Sequence, residues 1–207
     1  MLELRNVVIS NESHALFAPL SCCARPGRPV TIMGPSGSGK SSLLAWLTGF
    51  LPAGLKGTGE VLLDGSSVLA LPPHQRRLGI LYQDDLLFPH MSVGENLAFG
   101  LPVGTDRATR RQRIEQALAD VELIGFADRN PATLSGGERA RIALLRVLLS
   151  EPKALLLDEP FSKLDLALRD RFRSLVFQLT THLPLLLVSH DPQDSISAGG
   201  EILELRP

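Results

Sequence analysis

The stretch Gly34-Pro35-Ser36-Gly37-Ser38-Gly39-Lys40-Ser41 decides how this chain folds. Its Gly-x4-Gly-Lys-Ser spacing is that of a phosphate-cradling (Walker A) loop. The apolar run Val30 to Met33 before it reads as a strand. After it, from Lys40, Leu43, Leu44 and Leu47 repeat at helical spacing and stop near Gly49. Strand, glycine-rich turn and helix form the context that this spacing requires. Glycines let the backbone fold tightly enough to aim successive amides at phosphate oxygens, and a helix start adds partial positive charge. Lys40 is then placed to reach the β and γ phosphates and Ser41 to ligate magnesium, with Gly34, Pro35, Ser36, Gly37, Ser38, Gly39 and Ser42 completing the candidate cofactor site. A glycine-rich turn that matches by chance is the competing reading. The loop alone does not separate a kinase from a GTPase or an ATPase.

Further along, Ala154-Leu155-Leu156-Leu157-Asp158-Glu159-Pro160 is a buried-type strand ending in two carboxylates, at the edge where an open parallel sheet binds ligand. Asp158 fits the role of holding magnesium. Glu159 would point differently and is suited to polarise an attacking water as a general base. A solvated strand end is the bland alternative. Other strand-like runs are Leu2 to Ile9, Val61 to Leu63, Leu78 to Leu81, Leu185 to Ser189 and Ile202 to Leu205, with Pro52 to Gly59 read as a loop. Helical stripes lie between Thr105 and Phe126 and from Leu164 to Leu179. The alternation implies a mostly parallel sheet, and the first of these helices stands outside the strand series as an inserted helical subdomain.

At 207 residues the chain has room for one α/β domain, and a formal charge of −1 supplies no global field for nucleic acid or anionic lipid. The cluster Arg107, Arg110, Arg111 and Arg113 reads as a solvated helix face. Adjacent Cys22 and Cys23 suit neither a disulfide nor a metal site and read as reduced core or strand residues of a cytosolic protein. Met1 to Ser10 alternates like an edge strand rather than a signal peptide. No apolar run approaches the roughly 18 to 20 residues that span a bilayer, so a partner would have to supply any span.

Four further segments make the chain resemble the ABC ATPase family over its full length. Leu134-Ser135-Gly136-Gly137-Glu138 resembles the family signature, Gln83 sits where the Q-loop glutamine falls, Ser162-Lys163-Leu164-Asp165 resembles the D-loop, and His190 resembles the switch histidine. Ser135 and its glycines also make sense as a second anion site, since they precede a helical stretch from Arg139 to Leu149. A plain N-cap is the alternative there.

The resemblance implies an α/β P-loop NTPase. It would have a mostly parallel central sheet, an antiparallel β edge region and a helical subdomain at about 84–150 inserted in a single domain, 1–207. It implies ATP and Mg²⁺ as ligands. Ser41, Gln83 and Asp158 would hold the metal, Glu159, His190 and Gln83 would serve hydrolysis, and Ser135, Gly136, Gly137 and Asp165 would meet nucleotide across a head-to-tail dimer. The implied partners are a second copy or a homologous ATPase subunit, integral membrane permease subunits that dock on Asp84 to Gly100, and a solute-binding protein. No nucleic acid is implied, and the implied place is the cytoplasmic face of the inner membrane. The style of Phe88-Pro89-His90-Met91 and Ser189-His190-Asp191 is closest to bacterial importer subunits for thiamine, polyamines or metal ions. Rival readings are a soluble ABC-type ATPase of DNA repair or translation, and a P-loop kinase.

Three departures from the family pattern stand out. Importer-type members carry an aromatic near Asn11 to stack on adenine, whereas this chain has Asn11-Glu12-Ser13-His14, leaving His14 or the phosphates to compensate. Glu138 stands where the signature commonly has Gln. The chain stops soon after its last strand-like run, so the carboxy-terminal regulatory domain of some importer ATPases is expected to be absent.

Overall fold

A computed structural model describes residues 1–206. In chain order the strands are β1 (Leu2–Ser10), β2 (Leu20–Ala24), β3 (Val30–Met33), β4 (Lys56–Leu63), β5 (Ser66–Ser67), β6 (Leu78–Leu81), β7 (Ala154–Asp158), β8 (Leu185–Val188) and β9 (Glu201–Glu204). The helices are α1 (Lys40–Thr48), α2 (Val93–Gly100), α3 (Arg107–Asp120), α4 (Gly136–Leu148), α5 (Leu166–Thr180) and α6 (Pro192–Ala198). The chain separates into two compact units. The first comprises Met1–Ile80, Lys153–Glu159 and the chain from Phe177 onward; the second comprises Leu81–Pro152 and Pro160–Val176.

The first unit is built on a five-stranded sheet of order β6-β7-β8-β3-β9. β7, β8, β3 and β9 run parallel, with Leu156 opposite Leu186, Asp158 opposite Val188 and Ile32 opposite both Val188 and Leu203. Leu155, Leu156, Leu157, Leu186, Leu187 and Val188 are fully buried. Strands covered on both faces have no reason to alternate, which is why these runs are continuously apolar. A second, antiparallel sheet has the order β2-β1-β4-β5. One apolar core joins the two sheets through Leu43, Leu44 and Leu47 of α1.

Several local expectations are corrected. β1 is not an edge strand, because it pairs antiparallel with β2 on one side and β4 on the other. Its alternation reports burial of one face, a pattern that inner and edge strands share. Lys56 to Gly59, expected as loop, is the outer half of β4: it is largely exposed, but Ser10, Ile9 and Val8 pair with Lys56, Gly57 and Thr58. β2 carries both cysteines, with no disulfide. Burial, with lesser contributions from Glu201 and Cys23, pushes the Cys22 thiol up to about 12.

The second unit is mainly helical. α2 packs on α3 and α4, burying Val93, Leu97, Ile114, Leu118, Ile142 and Leu145. α2 and α4 approach closely: a Cβ on Gly100 would lie 2.2 Å from the Arg146 carbonyl oxygen, so only glycine permits this crossing. Phe161 and Phe172 meet edge to face at 5.9 Å. Among the described residues no helix is long and apolar enough to cross a membrane.

Candidate active site

In the first unit the loop from Gly34 to Gly39 links β3 to α1, and Gly39 caps that helix in the left-handed conformation, φ 92°. A Cβ there would stand 3.0 Å from Phe17, which lies buried against the loop, so residue 39 must be glycine for two reasons at once. Lys40 is buried, and its ammonium donates to the carbonyls of Gly34 at 2.7 Å and Pro35 at 2.8 Å. It makes no ion pair among the described residues. Beside it the buried Ser38 hydroxyl has no hydrogen-bond partner among the described residues. A buried cation lacking an anion, an unsatisfied hydroxyl and the amides of a helix start form a site that fits phosphate.

Ser41 Oγ donates to Asp158 Oδ1 at 3.4 Å. Burial, opposed by the Ser41 bond and Lys40 and reinforced by Glu159, raises the Asp158 carboxyl above the ordinary range. A hydroxyl and one half-buried carboxylate, near a phosphate site, fit a hard cation that takes most of its ligands from phosphate and water.

Glu159, the next residue, has φ 47°, an uncommon conformation for a non-glycine residue, and its amide donates to the Val188 carbonyl at 2.9 Å. This turn directs its carboxylate to His190, whose Nδ1 lies 3.0 Å from Glu159 Oε2. A carboxylate only accepts, so Nδ1 carries the hydrogen of that bond. The backbone on either side of His190 is fixed by Ser189, whose hydroxyl donates to buried Asp194 at 2.6 Å and accepts from the Asp191 amide at 3.0 Å. None of the sequence motifs assigns a role to Ser189 or Asp194; a Ser-x-Asp-Pro stretch at a helix start is the available signal.

The other candidates lie in the second unit. Ser135 is the N-cap of α4 in a reciprocal capping box: its hydroxyl and amide both donate to Glu138 Oε2 at 2.7 Å, and Glu138 N donates back at 3.3 Å. Gly136 and Gly137 are therefore the first turn of α4, ahead of the Arg139 start that the sequence pattern predicts. The Ser135 amide and hydroxyl hold the Glu138 carboxyl below its usual range. Asp165 accepts from the Leu168 amide at 3.0 Å at the start of α5. Gln83 is exposed, just beyond β6.

Asp84 to Gly100 holds more order than a loop. It ends in α2, opened by a second capping box between Ser92 and Glu95. Fully buried Asn96 accepts from Phe88 N at 2.8 Å and donates to the carbonyls of Phe88, Met91 and Ser92. Arg146 donates to the carbonyls of Leu86 and Asp85, with its guanidinium 5.4 Å from the Phe88 ring centre. At the amino-terminal end, Asn11 Oδ1 accepts from Ser13 N and His14 N, closing a turn; no aromatic stands there.

The model of the ABC transporter family matches residues 17–162. The chain belongs to that family. It is 46% identical over 207 residues to an uncharacterised ABC transporter ATP-binding protein of Escherichia coli, covering 99% of this chain and 95% of that one. It is 40% identical over 206 residues to a thiamine import ATP-binding protein of a Ruegeria species, 98% and 87% of the two chains. Against a spermidine/putrescine import ATP-binding protein of Pseudomonas aeruginosa the identity is 42% over 183 residues, 84% of this chain and 48% of that one, so here the chain spans about half of its relative. As an ABC ATP-binding subunit it binds and hydrolyses ATP. These relatives bear transporter names, and none supports the reading of a DNA-repair or translation ATPase.

Proposed function

We propose that the chain powers solute import, as one of a pair of ATPase subunits bound to a separate membrane permease at the cytoplasmic face of the inner membrane, with a solute-binding protein upstream. The Glu159–His190 bond at 3.0 Å, just beyond the ends of adjacent strands in the sheet that also carries the phosphate loop, supports hydrolysis over phosphoryl transfer to a metabolite. The near full-length likeness to a thiamine import ATP-binding protein supports import.

In this reading Lys40, Ser38, Ser42 and the loop amides of Gly34 to Gly39 bind the phosphates. Ser41, Gln83 and Asp158 would hold Mg²⁺, which when bound draws charge from the phosphate oxygens. Glu159 accepts a proton from the attacking water, and His190 orients that carboxylate through Nδ1–H while its Nε2 is left to accept from the water. Ser135, Gly136, Gly137 and Asp165 meet nucleotide held by the partner copy. The helical insertion at 84–150 faces the permease.

Two measurements test this. Tagged Glu159→Gln, extracted from native membranes in mild detergent with ATP, is expected to bring down a multi-pass membrane protein in stoichiometric amount; recovery as a wholly soluble protein with no membrane partner would sink the transporter reading. Asp158→Asn removes a carboxylate that burial disfavours, so without nucleotide it should melt about 2–4 °C higher while hydrolysis falls at least about tenfold. A lower melting temperature would show that the ionised side chain supports the fold.

A further inference from the structure

Immediately after Gln83 stand two carboxylates, and each reaches a different functional segment of the second unit. Asp84 pairs with Lys163 of the D-loop, and Asp85 Oδ2 takes Arg139 Nε at 2.9 Å. Arg139 lies in the first turns of the signature helix, and its Nη1 also donates to the carbonyl of Leu134, next to Ser135, at 2.6 Å.

The downstream part of the same segment is held differently. From the Asp85 carbonyl to Ser92 it is fixed by Asn96, which is fully buried, and by Arg146, whose partly buried guanidinium is shifted below its ordinary pKa by desolvation. Buried, multiply bonded anchors are costly to break, since each lost partner leaves a desolvated group unsatisfied. The pairs at Asp84 and Asp85 have side-chain exposures of 64% and 33%, in a range where ion pairs are weak and readily exchanged. Gln83, Asp84, Asp85, Arg139 and Lys163 also line one small cavity, about 150 Å³, which gives the segment room to shift. The Gln83 segment therefore has a rigid root and a releasable tip.

We propose that Asp84 and Asp85 are positioning residues that yoke Gln83 to the D-loop through Lys163 and to the signature helix through Arg139. This rests on the reading of Gln83 as the Q-loop glutamine that holds Mg²⁺ and serves hydrolysis. Displacement of either segment is then transmitted to Gln83 through a charge pair, and release of a pair lets Gln83 move without disturbing α2 or α4.

The test compares Asp84→Lys, Lys163→Asp, the double swap of both, and Asp85→Asn. Each single variant should raise deuterium uptake of the 82–86 amides about two- to fivefold, the range that a weak exposed pair supports, with α2 and α4 unchanged. The swap should restore it. The kcat for ATP should fall by a similar factor in the Asp84 and Lys163 single variants and recover in the swap, a rescue that general loss of stability would not show. Salt near about 0.5 M should mimic the single variants by screening. Unchanged uptake at 82–86 in the single variants, or a swap that fails to restore it, overturns the proposal. If the unaltered chain hydrolyses no ATP, the functional reading fails, and the uptake result still decides whether the yoke exists.

Discussion

Replacing Glu159 by glutamine is expected to lower ATP hydrolysis by about 10²–10⁴-fold, the contribution of a positioned general base, while ATP affinity stays within about twofold. The substitution keeps size and shape. Glutamine's carbonyl oxygen still accepts the His190 Nδ1 hydrogen, and the backbone bond from residue 159 to the Val188 carbonyl is untouched. The strained φ of 47° is no worse for glutamine than for glutamate. The carboxylate's charge and basicity are what is lost, so a fall in rate at unchanged ATP affinity is a chemical effect. Phosphate release by the purified chain, with equilibrium binding of a fluorescent nucleotide beside it, separates the two quantities. His190→Ala should also slow hydrolysis, because it frees the carboxylate to turn away from the water. Full activity in both variants would remove this pair from the mechanism.

Arg76→Met is expected to destabilise the protein by about 2–3 kcal/mol, a substantial share of the roughly 5–15 kcal/mol that holds a domain together. Arg76 is 9% exposed, and its guanidinium donates to four carbonyls: Trp46 at 2.8 Å, Leu47 at 2.7 Å, Leu71 at 3.0 Å and Leu69 at 3.1 Å. The first two belong to the last turn of α1, where the helix dipole places partial negative charge. Arg76 thus caps the helix whose opposite end carries the phosphate loop. Methionine fills much of the volume but leaves the carbonyls of Leu47, Leu69 and Leu71 without the guanidinium donor, while Trp46 O keeps the Gly49 amide at 3.1 Å. Arg76→Lys keeps the charge but not the planar fork and should lie between the two. Chemical denaturation with fitted midpoints reads the loss; a change under about 1 kcal/mol in the methionine variant would show that water replaces the guanidinium at little cost.

Arg76 also marks a limit of sequence reading. Nothing at Gln75-Arg76-Arg77 distinguishes the buried arginine from its neighbour, because the carbonyls it serves belong to α1 and to the loop after β5. Asn96 and Arg146 are hidden for the same reason. Their bonds turn Asp84 to Ser92 from an apparent surface loop into a fixed structure, and neither carries a local pattern that announces it. The glycines at Gly136 and Gly137 mislead in the opposite direction: their weak helix preference argues for a later start, but the Ser135–Glu138 capping box holds them in the first turn.

Short-range spacing and continuous burial are legible in the order of residues alone. The strand, loop and helix from Val30 to Thr48 follow from glycine conformation and apolar period. β7 and β8 follow from runs too apolar to leave uncovered. The identities of Lys40, Ser41, Asp158, Glu159, Ser135 and His190 as candidates came from ordered motifs. Which of these residues meet depends on long-range strand pairing. Glu159 reaches His190 because β7 and β8 pair in parallel with Asp158 opposite Val188, a register that no local signal specifies. The interior place of β1 was likewise settled by long-range hydrogen bonding, because one strand's pattern records which face is buried and not how many neighbours it has.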